Sequence, residues 1–232
     1  MLRLMKLEIK KFKVRGYIRG TIIANFIILA FMLMAVFSLK GYKEIPLHNY
    51  SEMFLATSTF VRATFCIFAA VMISKFIIAE YTNKTINVMF IYPIKRINIM
   101  LAKLLVVVVF IFTAMIISNI FINSILYIVN SYGGFFRDTL TADMVFNNLV
   151  SVLIYSIGYT LLALIPLYIG MIKKSTSATI VSSVILVSLL DSSGSKGESL
   201  GSIIIIPMVL GIIGAITAYM AIKDVETKDI AN

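Results

Sequence analysis

Charged and amide side chains are few in this chain, and their positions limit the chemistry it can do. The segment EYTNKTINVMFIYPIKR carries a carboxylate at Glu80 and a guanidinium at Arg96. Groups of this kind anchor a short element by pairing with each other or with a partner surface. Between them, Ile86, Met89, Phe90 and, less regularly, Pro93 share one helical face, while Lys84, Asn87 and Ile91 lie elsewhere. A second set is Asn119, Asn123 and Tyr127 at i, i+4 and i+8, with Ser118 and Ser124 beside them. That spacing puts the three on one helix face. Tyr155 and Tyr159 repeat the spacing farther on. In a bilayer, such side chains either bond neighbouring helices or line a polar translocation path, and spacing alone favours the first.

Much chemistry is excluded. The chain has one His, His48, which rules out an HExxH zinc site, and one Cys, Cys66, so no intramolecular disulfide forms. The phosphate-cradling pattern GxxxxGK[ST] is absent; Lys173-Lys174-Ser175 imitates its end, but Lys173 stands where the second Gly belongs. Neither paired carboxylates nor a nucleophile–base set stands out, so no catalytic, metal or cofactor-binding residue is assigned. Any ATP and Mg belong to another chain. The apolar stretches contain no acidic residue, which argues against a proton- or sodium-coupled carrier. Arg62, near the outer end of the second stretch, is expected to snorkel to the headgroups rather than touch a substrate.

The elements that must hold these residues are membrane helices. The 232 residues are 60% hydrophobic, against about 45–50% for soluble domains, and the mean hydropathy is +0.99. A span takes about 20 apolar residues, and six are expected: 20–39, 58–79, 104–129, 149–171, 177–190 and 202–222. The third, at 1.5 Å per residue, is about 39 Å long and must tilt or protrude from a core of about 30 Å. The fifth is short, and is tilted, broken or extended into the Ser/Thr-rich stretch before it. Pro166 and Pro207 are expected to kink the fourth and sixth. The first is read as a retained span, since no A-x-A cleavage site follows it.

Most of the 21 basic residues flank one side of these spans. They include Arg3 to Arg19, Lys84, Lys95, Arg96, Lys103, Lys173, Lys174, Lys223 and Lys228, whereas Lys40, Lys43, Arg137 and Lys196 fall on the other. The net charge of +10 therefore reflects topology with both termini cytoplasmic, not nucleic acid. Residues 1–17 place Leu2, Met5, Ile9 and Phe12 in helical register with Lys6, Lys10 and Lys13 on other faces, an amphipathic helix suited to the inner bilayer surface. The outer loops, 40–57, 130–148 and 191–201, are too small for a domain. The expectation is one all-α polytopic unit, 1–232, with six spans, an N-terminal interfacial helix and a cytoplasmic segment at 80–96.

EYTNKTINVMFIYPIKRINIMLAKLL resembles the central signature of ABC-2-type transporter permeases: Glu80 closing the second span, Thr85, Pro93, Arg96, and Lys103 at the start of the third. Lys84 stands where relatives often have Gly, and 191–201 is short for re-entrant helices. The resemblance implies a bacterial cytoplasmic-membrane subunit without its own ATPase, working as two permease chains, identical or homologous, with two ABC ATPase subunits. It implies that 80–96 is the coupling helix gripped by the ATPase, with Glu80, Thr85, Met89, Phe90, Pro93 and Arg96 as coupling residues. Short outer loops resemble permeases of peptide-antibiotic export or immunity, so the implied cargo is amphipathic or hydrophobic: an antimicrobial peptide, drug or lipid. Two other classes stay open: an ATP-independent carrier or channel, and a non-transporting immunity or scaffold protein.

Overall fold

A chain this apolar must satisfy its backbone internally, and every described element is helical. The computed structural model describes residues 2–11, 15–38, 49–82, 96–133, 135, 138–191 and 200–227. The order is α1 (Leu2–Lys11), α2 (Arg15–Ser38), α3 (Tyr50–Ile73), a π-helical turn (Ser74–Ile78), α4 (Ala79–Thr82), α5 (Arg96–Gly133), α6 (Ala142–Leu162), α7 (Ile165–Lys173), α8 (Thr176–Asp191), a 3₁₀ turn (Leu200–Ser202) and α9 (Ile205–Thr227).

Five stretches are long and apolar enough to cross a membrane: Arg15–Ser38, Tyr50–Thr82, Ile97–Gly133, Ala142–Lys173 and Ile205–Lys223. The sixth expected span is Thr176–Asp191, apolar but 16 residues long. At 1.5 Å per residue that is about 24 Å, short of a full core. The first span starts at Arg15, so the amphipathic N-terminal helix ends at Lys11 rather than at 17. α5 has 38 residues, about 57 Å by the same rise, and extends past the expected third span at both ends.

The two prolines differ in effect. Pro166 breaks the fourth stretch: Leu164 N donates to Leu161 O at 3.1 Å and Leu167 N to Leu164 O at 3.0 Å, a tightened turn between α6 and α7. Proline has no N–H to offer the carbonyl four residues back, so the ladder cannot continue. Pro207 makes no kink. It lies in the first turn of α9, where its missing N–H has no partner to lose.

α3 and its continuation form the centre of the core, with Met53, Val61, Phe65, Cys66, Met72, Ile73, Phe76 and Ile78 buried. α2 is peripheral: Ile22, Ile23, Phe26, Ile27, Phe31, Met34 and Phe37 are exposed along it, as suits a lipid-facing helix. α6 and α9 approach closely. A Cβ at Gly211 would lie 2.9 Å from Gly158 O, and one at Gly214 would collide with Leu161 O. Small residues that let backbones meet are a standard means of association in lipid.

Candidate functional site

The densest set of charged contacts gathers where α1, α4, α5 and the α7–α8 turn meet. Glu80, buried in α4, takes Lys11 Nζ at 2.6 Å on one oxygen and Lys103 Nζ on the other. Lys103 is 1% exposed. It also lies 3.8 Å from Glu8 Oε2 and donates to Phe76 O at 3.2 Å. Phe76 sits in the π-helical turn, where the widened ladder makes a carbonyl available to the ammonium. Two carboxylates and two ammonium groups balance. Burial raises Glu8 above the usual carboxylate range, with Glu80 adding to the rise and Lys103 and Lys11 opposing it.

The members are not equal. Lys11 is 47% exposed at its side chain, so its bond is worth about 1 kcal/mol or less. Lys103 and Glu80 are buried together, and removing either leaves an uncompensated charge, typically about 3–5 kcal/mol.

One more bond closes the arrangement. Thr82, the last residue of α4, donates to Lys174 O at 3.0 Å. Lys174 caps α7 in the left-handed conformation, φ 46°. The imitation phosphate loop Lys173-Lys174-Ser175 is therefore a tight interhelical turn. Both ends of the 83–95 segment are rooted here: Thr82 precedes it and α5 begins at Arg96.

Of the expected coupling residues, Glu80 is in this network. Thr85, Met89, Phe90 and Pro93 lie outside the described residues, and Arg96 is described only as the first residue of α5. Sequence reading missed Glu8 and Lys11 as ion partners. The available signal was that Glu8 is the single acid within a basic helix, three residues before Lys11.

Arg62 does not snorkel. It is 2% exposed, donating to Thr59 Oγ1 at 2.9 Å and to Gly201 O at 3.3 Å. Its guanidinium carbon sits 4.5 Å from the Tyr155 ring centroid and 5.0 Å from that of Tyr159, within cation–π range. Tyr159 Oη donates to Asp191 Oδ1 at 3.2 Å, and Tyr155 Oη to Ser202 O. The 200–202 turn folds over Arg62, and a Cβ at Gly201 would strike Tyr159 Oη. Asp191, at the very end of α8, is thus turned inward, an acidic group that the sequence reading placed in a loop.

The amide strip lies elsewhere, facing a groove between α3, α5 and α6. Asn119, Asn123 and Tyr127 line a cavity of about 180 Å³ with Tyr50, Phe54 and Asn148. An adjoining cavity of about 350 Å³ has Ser51, Ser58, Asn147, Ser151 and Tyr155 on its walls, and Phe54, Asn148 and Val152 line both. Tyr155 therefore borders the groove and the Arg62 cluster together, while Tyr159 belongs to the cluster.

Comparison with known proteins follows this geometry. The family model described as "ABC-2 family transporter protein" matches residues 4–189. The chain is 39% identical over 228 residues to an uncharacterized protein, YcbO, of Bacillus subtilis (strain 168), covering 98% of this chain and all of that one. No solved structure matches.

Proposed function

The chain belongs to the ABC-2 family of transporter membrane proteins, and from that premise we propose that it is the permease subunit of an ATP-driven exporter. A separate ABC ATPase, carrying ATP and Mg, supplies the energy. Two permease chains, identical or homologous, form the membrane part in the bacterial cytoplasmic membrane. The cargo is amphipathic or hydrophobic: an antimicrobial peptide, a drug or a lipid. Thr176–Asp191 completes six crossings, and both termini are cytoplasmic, which puts the Glu8–Lys11–Glu80–Lys103 network at the inner surface with α1.

The observation that carries this reading is the rooting of the 83–95 segment. The helix that enters it is bonded to α1, to α5 and to the α7–α8 turn through Glu80 and Thr82. A partner that pushed on 83–95 would therefore move three other elements, because a buried ion pair resists separation. The test is co-purification. Tagged chain extracted in mild detergent should bring down an ATPase subunit, and scrambling 83–95 in a still-inserted chain should lose it. A clean preparation across several detergents would sink the proposal.

A second reading has one observation in its favour. Asp191 and Arg62 stand near Tyr159 within the helix bundle, and intramembrane ionisable groups often mark ion paths. A carrier driven by an ion gradient would lose transport on collapse of that gradient and keep it when ATP is withheld; an ATP-driven exporter shows the reverse.

A further inference from the structure

The two adjoining cavities between α3, α5 and α6 lie on the opposite side of the fold from any chemistry that the ion network needs. We propose that together they bind the uncharged head of an amphiphile bearing hydroxyl or amide N–H donors. Binding itself needs neither ATP nor a partner; the proposal rests on the transport reading only in taking the occupant as cargo.

The walls define what fits. The described lining residues include no Asp, Glu, Lys or Arg. An ionised head would shed its water and find no counter-charge. Carboxamides and hydroxyls are plentiful instead: Asn119, Asn123, Asn148, Ser124 and Tyr127 in one cavity, Asn147 and Ser151 in the other.

The amides are not spent on holding helices together. Asn119 is 3% exposed, and its amide N–H goes to Met115 O of its own helix at 2.9 Å. The side-chain oxygens of Asn119 and Asn123 are buried and accept nothing among the described residues. Turning either amide over would exchange which end is unused, not remove the shortfall. A buried unmet acceptor is costly in a dry site, and two of them on one wall call for a ligand that donates. Phe54, Ile120, Leu149 and Val152 supply apolar surface for the adjoining part of a chain. Tyr127, about half exposed, stands at the rim. Polar anchors set in mostly apolar walls are the usual build of a small-molecule site.

The test uses the full chain in phosphatidylcholine nanodiscs and a photoreactive monoacylglycerol. Unlabelled competitors are 1-monooleoylglycerol (hydroxyl donors), oleamide (amide donors), methyl oleate (no donor) and lysophosphatidic acid (charged). The label should map to 119–127 and 144–155. The two donor-bearing competitors should displace it at concentrations at least ten-fold lower than the other two. Whichever donor competes better identifies the head. Asn119→Leu with Asn123→Leu should erase the ten-fold preference. Should that pair fail to insert, Asn148→Leu, at the seam of the cavities, carries the same comparison. Equal displacement by all four competitors, or labelling elsewhere, overturns the site. ATP-driven export of a cargo that never competes here would also overturn it and leave the transport reading intact. Binding here without ATP-dependent release would contradict the transport reading alone.

Discussion

Lys103, one turn or two into α5, is ion-paired with Glu80 at the end of the preceding span while 1% exposed. A lysine so placed is tolerable only while its partners hold. Lys103→Met should therefore destabilise the chain by about 3–5 kcal/mol, because Glu80 is left buried and charged. Adding Glu80→Leu should recover much of that loss, and a double-mutant cycle measures the coupling. The chain has no Trp, but its one Cys, Cys66, is fully buried. A thiol-reactive fluorophore therefore reports unfolding.

Glu8 predicts a pH effect. Its carboxyl is raised chiefly by burial, with Lys103 and Lys11 opposing and Glu80 reinforcing. A raised carboxyl holds its proton longer folded than unfolded, so its contribution is present at low pH and lost as pH rises through the raised value. Glu8→Gln should thus gain stability relative to the parent as pH climbs out of the usual carboxylate range. A constant difference across that range would show that α1 does not bury Glu8 in the membrane-embedded chain.

Arg62 should resist replacement by lysine. Arg62→Lys keeps the charge but loses the planar fork between Thr59 and Gly201 and the face over Tyr155. A loss of about 1–3 kcal/mol follows for a buried charged donor. Tyr159→Phe, which removes the bond to Asp191, should cost about 0.5–1.5 kcal/mol. The same thiol assay checks both. If Arg62→Lys leaves stability unchanged, the arginine faces water or headgroups as its sequence position first implied.

Gly214→Ala tests the α6–α9 contact. The new Cβ meets the Leu161 carbonyl, which is backbone and cannot rotate away. Overpacking of this kind costs about 1–3 kcal/mol. The same change at Gly16, which has open space around it, should not destabilise. Equal effects at the two positions would show that helix propensity, not contact, decides.

Which parts were legible follows from what hydropathy encodes. The apolar stretches located the helices, because a bilayer demands backbone bonds within each segment. They could not show that Asp191 turns inward, since its position after an apolar run looks the same whether it faces water or Arg62. Depth misled for Arg62 as well: the residues that cover it, Gly201 and Ser202, come 139 and more positions later. Pro166 and Pro207 read alike in sequence. Only the start of α9 at Ile205 separates a helix break from a harmless first turn. Lys103 and Glu80 came from the family resemblance, but Glu8 and Lys11 joined them through the packing of α1 on α5, which no local pattern carries. The amide strip was visible as spacing, and the groove it lines is made by α3 and α6.

The central claim is that residues 83–95 engage an ATPase. The most direct measurement is in-cell photocrosslinking from a reactive residue placed at Phe90, with Phe146, exposed near the start of α6, as the control on the other side. The account predicts a crosslink from position 90 to a subunit whose peptides include a phosphate-binding loop, and none to it from position 146. Crosslinks from position 90 to lipid alone, or equally from both positions, would contradict it.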